Sequence, residues 1–192
     1  MAVPPPRPMI PDKLALRARL RAERDRFAAE SSSAILAPPA FAARLKAGTV
    51  VATYVPLGSE ADPAQLAAAS VEAGCSLALP HVLDRAAPIR FLAWDFGAPL
   101  VDGPFGLRQP DAGGAEVAPD VILTPLVGFD ARLNRLGQGA AHYDRVFARY
   151  GEAWRVGVAW SVQQVPVIPN DIWDVPLHAV ITEEGMLCHS EK

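Results

Sequence analysis

Short, continuous runs of apolar and β-branched residues, separated by helical stretches, constrain this chain more than any other feature. They fall at residues 49–55, 75–79, 89–94, 121–127, 155–160 and 179–182. A strand with one wet face alternates apolar and polar side chains, whereas a run that stays apolar has both faces covered. Between the runs, Asp12 is placed to cap a helix reaching Glu30, because its carboxylate can accept from free backbone N–H groups. A short helix is expected to end near Leu45, another to span 63–73, and a fourth to span 139–150. Pro80 is expected to stop the second strand and Pro125 to break the fourth; 89–94 reads as antiparallel and 99–114 as irregular. The fold class is therefore α/β, a mostly parallel sheet covered on both faces. Such sheets bind ligands beyond the carboxyl ends of their strands, so the residues after each strand matter most.

Composition narrows the function classes. With 51% hydrophobic and 20% charged residues in 192, the chain can bury one full core. We expect a Pro-rich, disordered lead over 1–11 and a single catalytic domain over 12–192. A net charge of -3 provides no global basic field, so no nucleic-acid partner is expected. No run approaches the ~18 uncharged apolar residues of a membrane span. Cys75 and Cys188 show neither a disulfide framework nor metal-ligand spacing, which suits a reduced, cytoplasmic protein. A monomer is favoured.

Three groups of residues could carry chemistry. Arg135-Leu136-Gly137-Gln138-Gly139-Ala140-Ala141-His142-Tyr143-Asp144 follows a strand and a turn and enters a helix. Small residues let backbone N–H groups approach an anion, and a helix N-terminus adds positive potential, so the stretch suits a phosphate. Its glycine spacing matches neither the P-loop nor the dinucleotide fingerprint, and a plain loop remains an alternative. On the first helix, Leu16, Leu20 and Phe27 form an inward stripe, while Lys13, Arg17, Arg21 and Arg24 form a basic one. The basic stripe is either a solvated face or a source of charge for the phosphate site. Asp171 and Asp174, beside Trp173, are hard oxygen donors suited to Mg²⁺ or, alternatively, turn caps.

Taken in order, these segments resemble the 5-formyltetrahydrofolate cyclo-ligase family over about residues 13–183. The resemblance is carried by Lys13-x-x-x-Arg17, Tyr54-Val55-Pro56-Leu57-Gly58-Ser59-Glu60 and Phe105-Gly106-Leu107-Arg108-Gln109-Pro110. Most specific is Pro125-Leu126-Val127-Gly128-Phe129-Asp130 leading into Arg135-Leu136-Gly137-x-Gly139 and Tyr143-Asp144-Arg145; Asp174-Val175-Pro176-Leu177-His178 follows. Gln138, Ala140, Ala141 and His142 depart from the family's glycine- and tyrosine-rich loop, and Trp173 stands where the family often has histidine.

By resemblance, the fold is a three-layer α/β/α sheet like that of the sugar-phosphate isomerase and CoA-transferase group. Lys13, Arg17 and the loop from Arg135 to Tyr143 are implied to bind ATP, part of that loop also facing the folate, and Arg135 and Tyr143 to act in catalysis. Val55, Glu60, Phe105 and Tyr143 are implied to meet 5-formyltetrahydrofolate, with Asp144 and Asp174 on Mg²⁺. The implied reaction is ATP-dependent closure of 5-formyltetrahydrofolate to the 5,10-methenyl form, through a phosphorylated formyl group. His142 could also offer a ring N–H to a phosphate oxygen, more strongly when protonated. The alternatives are a non-catalytic folate- or nucleotide-binding relative and a sugar-phosphate isomerase-like enzyme on the same scaffold.

Overall fold

The computed structural model describes residues 12–84, 86–139 and 142–188. The expected lead over 1–11 and the loop residues Ala140 and Ala141 lie outside them. Helix α1 spans Lys13–Glu30, with the Asp12 side chain accepting from Leu14 N at 3.2 Å as expected. The four-residue α2 (Pro39–Ala42) precedes strand β1 (Val50–Ala52), helix α3 (Ala64–Glu72) and the antiparallel pair β2 (Ser76–His81) and β3 (Arg90–Ala93). A small ribbon, β4 (Val101–Asp102) and β5 (Arg108–Gln109), encloses a 3-10 turn at Pro104–Gly106. Strand β6 (Val121–Pro125) leads to a second ribbon, β7 (Gly128–Phe129) and β8 (Arg135–Leu136). The chain ends with α4 (His142–Arg149), β9 (Trp154–Val158), β10 (Ala179–Thr182) and β11 (Gly185–Cys188).

The seven-stranded sheet has the order β11-β10-β9-β6-β1-β2-β3. Its five inner strands are parallel, and both edge strands, β3 and β11, run antiparallel to their neighbours. Alternate residues of each strand face opposite layers. Val51, Val121, Leu123, Val156, Val158 and Ile181 pack with α2 and α3, together with Phe27 of α1. Ala52, Ile122 and Val180 pack on the other side with Val146 and Phe147 of α4. This is the three-layer α/β/α arrangement. Nearly all these side chains are fully buried, each stabilising the fold by roughly 1.5–3 kcal/mol if large.

The structure departs from the expected elements in four places. Strand β2 continues through Pro80 instead of stopping there. The Ala78 carbonyl accepts from Thr53 on the β1 side, so the N of Pro80, two residues on, also faces that side, beyond the last residue of β1. No ladder bond is lost at Pro80. The stretch 99–114 contains the β4–β5 ribbon, whose two-residue strands are too short to leave a periodic signal. The same shortness hid β7 and β8. Strand β11 is half exposed and lacks the long apolar run of an inner strand.

One further packing contact positions the site. Leu16 and Leu20 of α1 bury against Val127, just before β7, against Leu136 of β8 and against Val165 and Ile168. A Cβ at Gly128 would fall 2.5 Å from the Leu20 methyl, so the bare glycine leaves that buried methyl its room where α1 crosses the ribbon. The opposite stripe of α1 is thereby turned over the carboxyl ends of the strands.

Candidate functional site

Chain order reverses direction in the sheet between β1 and β6, because β2 and β3 add on one side of β1 and β6, β9 and β10 on the other. Beyond the carboxyl ends of strands at such a switch point lies the natural crevice of an open parallel sheet. A cleft of about 910 Å³ opens there. Its floor is Tyr54 and Val55 after β1, Pro80 and Val82 at the end of β2, and Pro125 at the end of β6.

The wall nearest the N-terminus is cationic. Lys13, Arg17 and Arg21 project from successive turns of α1 into the cleft. Lys13 Nζ donates to Oδ2 of Asp171 at 2.6 Å and to Oδ2 of Asp174 at 2.7 Å. Burial works against the charged ammonium, but the bonds to the two carboxylates outweigh it and raise Lys13 above its ordinary range. Arg17 Nε donates to the carbonyl of Gly137 at 2.8 Å, and Arg21 Nη2 to Oε1 of Gln138 at 2.7 Å. The basic stripe is thus a cleft wall, and its last member, Arg24, is buried against Ser59 and Glu60.

The far wall is the β8–α4 loop. Arg135 Nη2 donates to Asp144 Oδ1 at 2.8 Å, and its guanidinium carbon lies 5.8 and 5.5 Å from the ring centres of Tyr143 and Phe147. Gly139 adopts φ +111°, a conformation that lets the chain turn into α4 and that other residues rarely reach. Burial first, and then the nearby Glu60 carboxylate, hold the Tyr143 phenol well above its usual value, so its proton stays on. His142 Nδ1 lies 2.9 Å from Arg145 Nη2. That contact holds the imidazole beside the first turn of α4, where the ring lines the cleft.

The remaining side of the cleft carries Glu60 and Phe105. Glu60 Oε2 accepts from Leu57 N at 3.0 Å, and Oε1 from Gln138 Nε2 at 3.0 Å. Phe105 sits at φ +62° on the 3-10 turn, an uncommon conformation for a bulky side chain, and presents a half-exposed ring to the cleft mouth.

Every expected site residue within the described part of the chain lines this cleft: Lys13, Arg17, Val55, Glu60, Phe105, Arg135, Leu136, Gly137, Gln138, Gly139, His142, Tyr143, Asp144 and Asp174. Reading the sequence missed Arg108 as a lining residue and Arg21 as a partner of the loop. It also missed the work of Asp130. That buried carboxylate accepts from Arg132 N, from Asn134 N and Nδ2, and from Ile168 N, tying the β7–β8 ribbon to the segment that carries Asp171 and Asp174. The fixed spacing Asp130…Asn134 was the available signal, since a short carboxylate with N–H groups two and four residues on makes a local turn.

As a cation site, the acids show hard oxygen donors and no cluster of three or more His, Cys, Asp or Glu side chains among the described residues. Asp144 gives one oxygen to Arg135 and Asp174 gives one to Lys13, and among the described residues Oδ2 of Asp144 and Oδ1 of Asp174 take no hydrogen bond. One or two carboxylate oxygens completed by phosphate oxygens and water is the usual donor set of Mg²⁺, so the residues fit it.

The family model of the 5-formyltetrahydrofolate cyclo-ligase family matches residues 9–183. The chain is 33% identical over 139 residues to the 5-formyltetrahydrofolate cyclo-ligase of Escherichia coli (strain K12), which covers 69% of this chain and 76% of that protein. It is 36% identical over 101 residues to the protein of the same name from Haemophilus influenzae, covering 47% of this chain and about half, 52%, of the relative. Among solved structures it is similar to the NMR structure of Aquifex aeolicus 5,10-methenyltetrahydrofolate synthetase, with a TM-score of 0.67 and 28% identity over 94% of this chain and 96% of that one.

Proposed function

Because the chain belongs to the 5-formyltetrahydrofolate cyclo-ligase family, we propose that it closes 5-formyltetrahydrofolate to 5,10-methenyltetrahydrofolate, using ATP as phosphoryl donor with Mg²⁺ and releasing ADP and phosphate. The observation that supports this reading best is the polarity of the cleft. Lys13, Arg17 and Arg21 on the α1 wall and Arg135 on the wall across from it supply the cations, and an oriented carboxylate, Glu60, stands beside them with an aromatic ring, Phe105, at the mouth. A polyphosphate and a flat heterocycle rich in N–H donors need those two environments side by side.

The chemical problem is a poor leaving group. The formyl oxygen on N5 is an amide oxygen, nucleophilic towards phosphorus but unable to depart as hydroxide. That oxygen attacks the γ-phosphorus, the bond to ADP breaks, and an iminium-like formyl phosphate forms. The N10 lone pair then attacks the formyl carbon, the C–O bond breaks with its electron pair leaving on phosphate, and N10 gives up its proton. Catalysis of this kind is positioning and charge neutralisation. Lys13, Arg17 and Arg135 offset the polyphosphate charge, and the Gly137–Gly139 backbone lets it approach. Tyr143, whose proton is retained, serves as a hydrogen-bond donor to the reacting oxygens. Glu60 accepts from the N–H edge of the pterin. Asp144 and Asp174 would hold Mg²⁺, which would supply further neutralisation of the triphosphate.

The test is to mix protein, ATP, Mg²⁺ and 5-formyltetrahydrofolate and follow the absorbance of the methenyl product. Product that appears only with ATP, with one ADP per turnover, is the expected result. Binding of both ligands without product would make the chain a non-catalytic relative, and ATP-independent isomerisation of a sugar phosphate would place it in another reaction class.

A further inference from the structure

From the β8–α4 loop, the Gln138 side chain bridges the α1 wall and Glu60. Its Oε1 accepts from Arg21 Nε at 3.2 Å and Nη2 at 2.7 Å, and its Nε2 donates to Glu60 Oε1 at 3.0 Å. The amide orientation follows from chemistry: the flipped amide would set NH₂ against a guanidinium and a carbonyl against a carboxylate. Arg21 Nη2 also donates to the Gln138 carbonyl at 3.2 Å, so the backbone and side chain of this residue are held by the same cation.

Glu60 needs such a partner. Its side chain is 8% exposed, and its nearest cation, Arg24 Nη1, stands 4.0 Å away, beyond hydrogen-bond reach. Gln138 Nε2 and Leu57 N each take one lone pair, one on each carboxylate oxygen. One lone pair per oxygen remains, which presents a two-point acceptor in a fixed plane.

We infer that Gln138 is the positioning residue that orients Glu60 for the heterocycle of the folate substrate and, through Arg21, links that carboxylate to the phosphate-binding wall. Gln138 therefore serves the folate indirectly, by holding the Glu60 carboxylate in place. This rests on the function proposed above and names a specificity device within it. A hydrogen bond to a charged group of this kind sets the expected scale at about ten-fold in affinity.

The experiment compares wild type, Gln138→Ala and Gln138→Glu in steady-state turnover, with KM measured separately for 5-formyltetrahydrofolate and ATP. Gln138→Ala is expected to raise the folate KM about ten-fold while kcat falls less than about three-fold and the ATP KM moves less than about two-fold. Gln138→Glu keeps the acceptor for Arg21 but sets a carboxylate against Glu60, so its folate KM should rise further than that of the alanine variant. A general structural defect would instead lower kcat and the melting temperature with no preference for one substrate. A larger effect on the ATP KM than on the folate KM, equal KM values in all three proteins, or a Gln138→Glu folate KM at the wild-type value overturns the inference. Wild-type protein that makes no methenyl product overturns the function itself, whereas wild-type turnover with an unmoved folate KM in the variants removes only Gln138.

Discussion

Two acid–cation contacts bracket the cleft, and they differ in depth and in how they are made. The inner one, Arg135 with Asp144, joins residues nine apart in sequence at 2.8 Å, with side chains 5% and 21% exposed. The outer one, Lys13 with Asp171 and Asp174, joins the first helix to a segment near the end of the chain, with the two carboxylates 46% and 18% exposed. Both place a cation and an acid where a triphosphate and its counter-ion would lie. Their energetics are not alike. A buried charge that loses its partner is left in a poorly solvating interior, whereas an exposed one returns to water. The inner pair is therefore part of the fold's integrity as well as of the site, and the outer pair is chiefly a device of the site.

The sharpest way to break this comparison is at Asp144. Asp144→Asn keeps the shape but leaves the Arg135 guanidinium, whose Nε has no hydrogen-bond partner among the described residues, without a counter-charge. Urea unfolding should show a loss of about 3 kcal/mol, and turnover should fall by about two orders of magnitude. A stability change inside about 0.5 kcal/mol would place Arg135 in a wetter setting than its burial indicates.

Next comes Asp174→Ala, with a smaller effect on stability and a clear one on the reaction. We expect less than about 1 kcal/mol in unfolding, turnover slowed about ten-fold, equivalent to about 1.4 kcal/mol of barrier, and a higher Mg²⁺ requirement. An unchanged Mg²⁺ titration at unchanged rate would remove Asp174 from the site. The same pair has a pH signature. Lys13 is raised above 10.5 in the folded protein, so its contribution is fully present below that value and is lost as pH rises through the raised one. The difference in stability between wild type and Lys13→Ala should be constant from about pH 6 to 9 and shrink only under strongly alkaline conditions.

The smallest expected effect is at His142. The ring lines the cleft, with Nδ1 2.9 Å from Arg145 Nη2. His142→Ala should raise the ATP KM by about three-fold or less, the scale of one modest hydrogen bond. An unchanged ATP KM would remove His142 from the nucleotide.

Much of the scaffold was legible in the residues because its signals are local. Continuous apolar runs declared the inner strands, and Asp12 declared the start of α1. The Arg135–Asp144 loop stood out through its glycines and its place before a helix, and its described residues line the cleft. The elements that escaped are the two-residue strands of the ribbons, β11, and the passage of β2 through Pro80. Their stability comes from neighbours distant in sequence, so no periodicity of their own marks them.

The amino-acid sequence by itself determined that this is a layered α/β chain with a phosphate-suited turn and a basic helix stripe, since each rests on spacing within one or two turns of chain. Whether that stripe faced solvent or substrate was decided only in three dimensions. The docking of α1 across the β7–β8 ribbon, where Gly128 leaves room for Leu20, turns Lys13 towards carboxylates 158 and 161 residues away. The same docking brings Arg21 to Gln138 and Gln138 to Glu60. Hydrogen bonds of this range depend on how whole layers fill space, and neither residue's neighbours along the chain carry that information.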